Sequence, residues 1–218
     1  MSNKVLESLI DMESSIWVFG YGSLTWKPNF IYKSKEIGYI HGYQRRFWQG
    51  NITHRGTVNK PGRVATLIRS EKDDVWGVAY EIAGRNHILK ALSYLNKRES
   101  KLGGYNTVVE NFFARNKETR KVLVYTATTE NEHYLGPCNM ATMATEIMSA
   151  NGEAGSNTEY VTRLAEYVRK HIPEEKDLHL FTLEKYILYL TQRRNVTHRV
   201  NDTVIPLTYD RLIGEIRT

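Results

Sequence analysis

Apolar and polar positions follow two different periods along the chain, and the change from one to the other falls near Asn86. Before it, Trp17 to Tyr21, Glu36 to Trp48, Arg63 to Ser70 and Val75 to Ile82 are rich in aromatic and β-branched residues. They are separated by Gly, Pro, Asn and Asp clusters, which predicts four strands. Asn51 to Gly62 reads as a long hairpin loop, and loops of that length in a compact domain cover or flank sites. After Asn86 the spacing of Ile88, Leu89, Leu92 and Leu95 predicts a helix that ends by Gly103-Gly104, with Glu99 at its end. Two more strands follow, Asn106 to Ala114 and Lys121 to Thr128, and the run Val122 to Tyr125 predicts burial on both faces of the second. The remainder is helical by spacing: Asn139 to Ala150, Asn157 to His171 and Asp177 to Arg194. Ser156 with Glu159 forms a capping box for the middle one, and Pro173 ends it. Strands first and helices last predict an α+β fold.

The chain has 218 residues, enough for one domain with a substantial core. Its one cysteine, Cys138, excludes an intramolecular disulfide and a cysteine metal cluster, and fits a reducing compartment. His54, His87, His133, His171, His179 and His198 form no metal pattern. The first fifteen residues mix Glu7, Asp11 and Glu13 with Val5, Leu6, Leu9 and Ile10, which is neither a signal-peptide core nor a membrane span. The expectation is a soluble, cytoplasmic protein.

A net charge of +6 and a pI near 9.3 suit a polyanionic partner. Arg45, Arg46, Arg55, Lys60 and Arg63, interleaved with Phe47 and Trp48, have the composition of a nucleic-acid stripe. Their strand-like alternation turns half of the side chains inward, however, and no nucleic-acid module is present. A positive cavity for a substrate with two carboxylates suits the same residues.

The stretch Trp17-Val18-Phe19-Gly20-Tyr21-Gly22-Ser23-Leu24-Thr25-Trp26 runs a short strand into two glycines that frame a tyrosine. Glycine tolerates positive φ and has no side chain, so the backbone N–H groups of such a turn can approach an anionic or carbonyl ligand. The same pattern also suits an ordinary tight turn at a strand end.

Four blocks together resemble the ChaC family of γ-glutamylcyclotransferases, the branch that acts on glutathione. They are Phe19-Gly20-Tyr21-Gly22-Ser23-Leu24; Gly42 to Gly50 with His54-Arg55-Gly56 and Lys60 to Val64; Tyr94 to Glu99 leading to Gly103-Gly104-Tyr105; and Tyr134-Leu135-Gly136-Pro137. The resemblance implies a γ-glutamylcyclotransferase-like fold, a small mixed β-barrel with surrounding helices. It places the domain at 16–195, between an N-terminal extension (1–15) and a C-terminal extension (196–218).

The implied reaction cleaves glutathione to 5-oxoproline and Cys-Gly. The α-amine of the γ-glutamyl group attacks its own γ-carbonyl, so neither a nucleophilic side chain, a metal nor another cofactor is required. By the same resemblance Glu99 is the catalytic acid/base, and Val18, Phe19, Gly20, Tyr21, Gly22, Ser23 and Leu24 hold the γ-glutamyl moiety. Without the resemblance, Glu99 reads first as a partner of Arg98 or Lys101 on a solvated helix end. Arg55, Tyr105 and Tyr134 are further candidate substrate contacts; Arg63 is a second guanidinium able to grip a carboxylate, and His54 a weaker candidate. The expected partner is a small molecule, with no nucleic acid and no membrane, and the pattern fixes no oligomeric state. Two alternatives stay open: a cyclotransferase for other γ-glutamyl amines, and a non-catalytic binding or regulatory protein of the same fold.

Overall fold

A computed structural model describes the backbone at residues 14–101 and 105–203 and the side chains at 14–98 and 105–194. Five strands, β1 (Ser15–Gly20), β2 (Ser34–Asn51), β3 (Gly62–Ala83), β4 (Tyr105–Ala114) and β5 (Thr119–Ala127), close into a barrel in the order β1-β3-β2-β4-β5. Neighbours are antiparallel except at the seam, where β5 lies parallel to β1 through Val18↔Leu123 and Phe19↔Val124. Closure of this kind leaves no unpaired sheet edge. The expected mixed barrel is therefore present.

Alternation along β1 feeds two cores. Ile16 and Val18 point outward, where α1 (Arg85–Leu95) covers them with Ile88, Ala91, Leu92 and Leu95. Phe19 points into the barrel and joins Phe47, Phe112 and Val124. On that side the core continues into α2 (Met140–Ser149), α3 (Asn157–His171) and α4 (Leu178–Thr203) through Met143, Ile147, Val161, Leu164 and Leu183. Burial of these apolar side chains is the dominant stabilising term. As the capping box predicts, the Glu159 N–H donates to Ser156 Oγ at 3.1 Å and opens α3. A two-residue hairpin, β6 (Asn151–Gly152) with β7 (Gly155–Ser156), leads into it.

Three elements differ from expectation. The two strands expected at Arg63 to Ser70 and Val75 to Ile82 are one strand, β3, because the polar residues between them are used across the ladder. Gln44 and Ser70 donate to Asp73, and His41 pairs with Asp74, beside a register shift between His41 and Tyr43. Polarity there marks a bulged, solvent-facing ribbon rather than a turn. The first helix reaches Lys101, within the expected limit and with the backbone of Glu99 in its last turns, but its final stretch, Asn96–Lys101, is π-helical and not α-helical. The Glu99 side chain and Gly103-Gly104 lie outside the described residues. Finally, α4 runs past Arg194 to Thr203, into the expected C-terminal extension; residues 204–218 and 1–13 of the two extensions lie outside the described residues. Among the described residues no helix is long and apolar enough to cross a membrane.

Candidate active site

Where β1 leaves the barrel, its exit turn meets the β2–β3 loop, the C-terminal end of α1 and the N-terminal half of α3. Together they enclose a cavity of about 130 Å³. Its wall comprises Phe19, Tyr21, Gly22, Ser23, Leu24, Lys27 and Asn29 from the first segment, and Asn51, His54, Arg55, Val64 and Ala65 from the second and its strands. Tyr94 and Arg98, Tyr105 and Tyr125, and Ala154 and Tyr160 complete it.

The exit turn is a short 3₁₀ helix, Ser23–Thr25. Its backbone bonds run from Thr25 N–H to Gly22 O (3.0 Å) and from Trp26 and Lys27 N–H to Ser23 O (3.3 and 2.8 Å). The N–H groups of Ser23 and Leu24 come before the first of these donors and so have no partner within the helix, as at any helix start. Glycine is required here by close approach, not by backbone conformation: neither Gly20 nor Gly22 has positive φ. A Cβ on Gly22 would stand 2.7 Å from Tyr160 Oη, and one on Gly20 would stand 2.6 Å from Leu24 Cβ.

Tyrosine hydroxyls tie the walls together. Tyr21 donates to Tyr125 O and Tyr105 to Ala65 O, both at 2.7 Å. Tyr160 Oη accepts the Ala65 N–H at 3.2 Å, and its ring meets Trp26 and Phe47 edge-on. Each ring presents a face or edge to the cavity while its polar tip is satisfied behind it.

The charges in the wall are predominantly positive. Arg55 is 6 % exposed; it donates to Ser156 O and Glu159 Oε2, each at 2.9 Å, and lies 5.8 Å from the Tyr160 ring centre. The bond from Arg55 holds the Glu159 carboxyl below the usual range, and Arg163 and Lys27 reinforce it. Arg98 donates to Ser23 Oγ at 2.6 Å, to Tyr94 Oη at 3.0 Å and to Lys27 O at 3.3 Å. It thereby fastens the π-helical segment that follows α1 to the exit turn. Burial pushes the His54 imidazole below its ordinary value, and Arg98, Arg55 and Lys27 push it the same way against Glu153, which favours the neutral ring.

The long loop packs as an ordered part of this wall. Asn51 Oδ1 accepts the Arg55 N–H at 2.7 Å, Thr57 and Lys60 pair across its tip, and Thr53 O and His54 O receive N–H groups of Glu153 and Ala154 from the β6–β7 hairpin. The loop thus flanks the cavity, which it lines with Asn51, His54 and Arg55.

Of the residues expected to contact substrate, Phe19, Tyr21, Gly22, Ser23, Leu24, Arg55 and Tyr105 come together around the cavity; His54, the weaker candidate, is there too. Val18 and Gly20 do not line it. The Val18 side chain is buried against α1 and its backbone is paired with Tyr80 and Leu123, because strand alternation turns it away from Phe19. Gly20 is also paired in the strand and acts by letting Leu24 fold back on it. Tyr134 is likewise outside the wall, in a turn bridged to Gln49.

Arg63 is spent elsewhere: it pairs with Glu146 and donates to Phe47 O (3.2 Å) and Gly136 O (2.9 Å). Arg45 is buried with Asp177 and Glu175 and donates to Trp76 O at 2.6 Å. The basic stretch therefore turns Arg45, Arg55 and Arg63 inward instead of presenting a cationic stripe to solvent. Lys27, Asn29, Tyr125 and Tyr160 line the cavity without any sequence pattern marking them. The spacing of Tyr94 and Arg98, four residues apart on one helix face, is the only local signal that could have drawn Arg98 out.

A family model described as ChaC-like protein matches residues 16–190. The zebrafish protein named glutathione-specific gamma-glutamylcyclotransferase 1 is 47% identical over 186 residues, 84% of this chain and 93% of the relative. The human protein of the same name is 44% identical over 168 residues, 76% of this chain and 75% of the relative. Among solved structures, a yeast gamma-glutamyl cyclotransferase specific to glutathione superposes with a TM-score of 0.74 at 30% identity, covering 81% of this chain and 97% of that one. With the barrel and the match over 16–190 in agreement, the chain belongs to the ChaC-like protein family.

Proposed function

We propose that this protein is a cofactor-independent, glutathione-specific γ-glutamylcyclotransferase that releases 5-oxoproline and Cys-Gly, acting in the cytoplasm on a small-molecule substrate. The observation that carries the reading is the cavity itself. A glycine-framed turn starts a 3₁₀ helix on one wall, guanidinium and ammonium groups stand around it, and the helix segment bearing Glu99 is fastened to that turn through Arg98 and Ser23. The relatives' names supply the substrate.

In the proposed reaction the γ-glutamyl group folds so that its α-amine lies against its own γ-carbonyl carbon. A C–N bond forms, closing a five-membered lactam, and the bond to the cysteine nitrogen breaks. Both reacting groups belong to one molecule, so the protein's contribution is to hold a near-attack conformer, worth effective molarities on the order of 10⁵ M or more. Negative charge grows on the γ-carbonyl oxygen, and the N–H groups at the start of the 3₁₀ helix are suited to meet it without reorganisation. Glu99 takes a proton from the attacking amine and delivers one to the leaving nitrogen. Ser23 is not needed as a nucleophile; its hydroxyl accepts from Arg98. Arg55, held in place by Glu159, faces the substrate's α-carboxylate.

The test is product release from reduced glutathione and from γ-glutamyl-alanine by the purified protein. The reading expects 5-oxoproline from glutathione in large preference. Turnover of both alike would favour a general γ-glutamyl amine cyclotransferase, and turnover of neither a binding protein.

A further inference from the structure

Among the described residues three cations, Lys27, Arg55 and Arg98, line the cavity, and they are not held alike. Arg55 is buried and carries its own carboxylate, Glu159. Arg98 spends its guanidinium on Ser23, Tyr94 and the Lys27 carbonyl. Lys27 is exposed at the mouth, and among the described residues its ammonium has neither a carboxylate nor a hydrogen-bond partner. Its backbone, by contrast, is fixed on both sides: its N–H donates to Ser23 O at 2.8 Å and its carbonyl accepts from Arg98 at 3.3 Å. A cation with an anchored backbone and an open head at the rim of a cavity is placed to meet an anion arriving from solvent. Its charge reaches inward as well, being felt by both His54 and Glu159.

A γ-glutamyl tripeptide carries two carboxylates at opposite ends. The α-carboxylate shares a carbon with the attacking amine, so it must sit deep, where the buried Arg55 stands. The other terminates the leaving dipeptide and lies about 7 Å beyond the γ-carbonyl, two extended residues away. With the γ-carbonyl at the start of the 3₁₀ helix, that second carboxylate runs outward along the wall that ends in Lys27, three residues beyond Leu24 on the solvent side. We propose that Lys27 reads the C-terminal carboxylate of the leaving dipeptide and so separates a γ-glutamyl tripeptide from γ-glutamyl amines that lack it. The inference rests on the glutathione reading above and names the feature of the substrate that this site selects.

The test compares kcat/KM for glutathione and for its C-terminal amide, in which that carboxylate is neutral, in the wild type and in Lys27→Met. The ratio of glutathione over amide is expected to fall about fivefold in the variant, the size of an exposed charge pair, through KM rather than kcat. Lys27→Arg is expected to preserve the ratio, and raising salt should lower it in the wild type by screening. A ratio unchanged in Lys27→Met, while the wild type turns over glutathione, overturns the assignment and leaves the cyclotransferase reading standing. A wild type inactive on every γ-glutamyl substrate overturns both.

Discussion

Replacing Gly22 by alanine perturbs the exit turn at the point where it touches α3. The new Cβ would lie 2.7 Å from Tyr160 Oη and 3.7 Å from Ala65 Cβ, so something must retreat by several tenths of an ångström. Tyr160 has little room to do so: it is 4 % exposed, its hydroxyl receives the Ala65 N–H at 3.2 Å, and its ring is wedged between Trp26 and Phe47 with Arg55 over it. Overpacking of this kind costs about 1–3 kcal/mol, and loss of the Tyr160 bond a further ~1 kcal/mol. If the turn yields instead, the N–H groups proposed to meet the γ-carbonyl oxygen move with it, and a misplacement that builds up to about 1 Å at the reacting carbonyl costs on the order of 10²-fold in rate. The expected result for Gly22→Ala is a kcat/KM on glutathione lower by about two orders of magnitude with a modest drop in thermal midpoint. Both quantities come from one preparation, 5-oxoproline release and a melting curve. A variant with wild-type kcat/KM would refute the assignment of this turn to the reacting carbonyl.

Other positions make sharper claims about structure. Burial, aided by Arg46 and Arg63, lowers the His179 imidazole from 6.5 to about 4, where its Nε2 accepts the Phe47 N–H and its ring stacks on Phe47. The folded state thus resists a proton that the unfolded chain accepts, so stability is full above about pH 6.5 and falls by about 1–3 kcal/mol as the pH drops towards 4. Urea titrations across that range should show the decline, and His179→Phe should flatten it. Arg45→Met would strand Glu175, whose carboxyl burial already pushes upward and Arg45 holds down, for a loss of about 3–5 kcal/mol at neutral pH. Because protonation neutralises the stranded acid, that deficit should shrink at acid pH; a deficit independent of pH would argue against the pairing. Tyr134→Phe, outside the cavity wall, should leave kcat/KM within twofold of wild type (about 0.4 kcal/mol), whereas Arg55→Met should lower it by more than tenfold through KM.

Much of this architecture is legible in local pattern, because local pattern is what strands and helices obey. The α3 limits at Asn157 and His171 follow from the Ser156 cap and Pro173, and the outward and inward faces of β1 follow from alternation. What fails is inference from polarity alone. Asp73 and Asp74 interrupt an apolar run, yet cross-strand partners keep β3 continuous. At the site, the linear glycine motif marks the turn but not what presses on it, since Tyr160 lies more than a hundred residues away. The same distance separates Arg55 from Glu159, and no spacing rule connects them. Arg55, Arg63 and Arg45 are alike as arginines of one basic stretch, and only tertiary partners decide that one faces the cavity and two brace the fold. Lys27 was invisible for the opposite reason: among the described residues its ammonium has no hydrogen-bond or ion-pair partner whose type could have marked it.

The central claim is that the substrate supplies its own nucleophile while Glu99 moves the proton. The most direct measurement is glutathione turnover in water labelled with heavy oxygen, read by mass spectrometry, for the wild type and a folded Glu99→Gln. The account predicts unlabelled 5-oxoproline from the wild type, because the lactam keeps the original γ-carbonyl oxygen, and almost none from the variant. Labelled glutamate from the wild type, or full activity in Glu99→Gln, would contradict it.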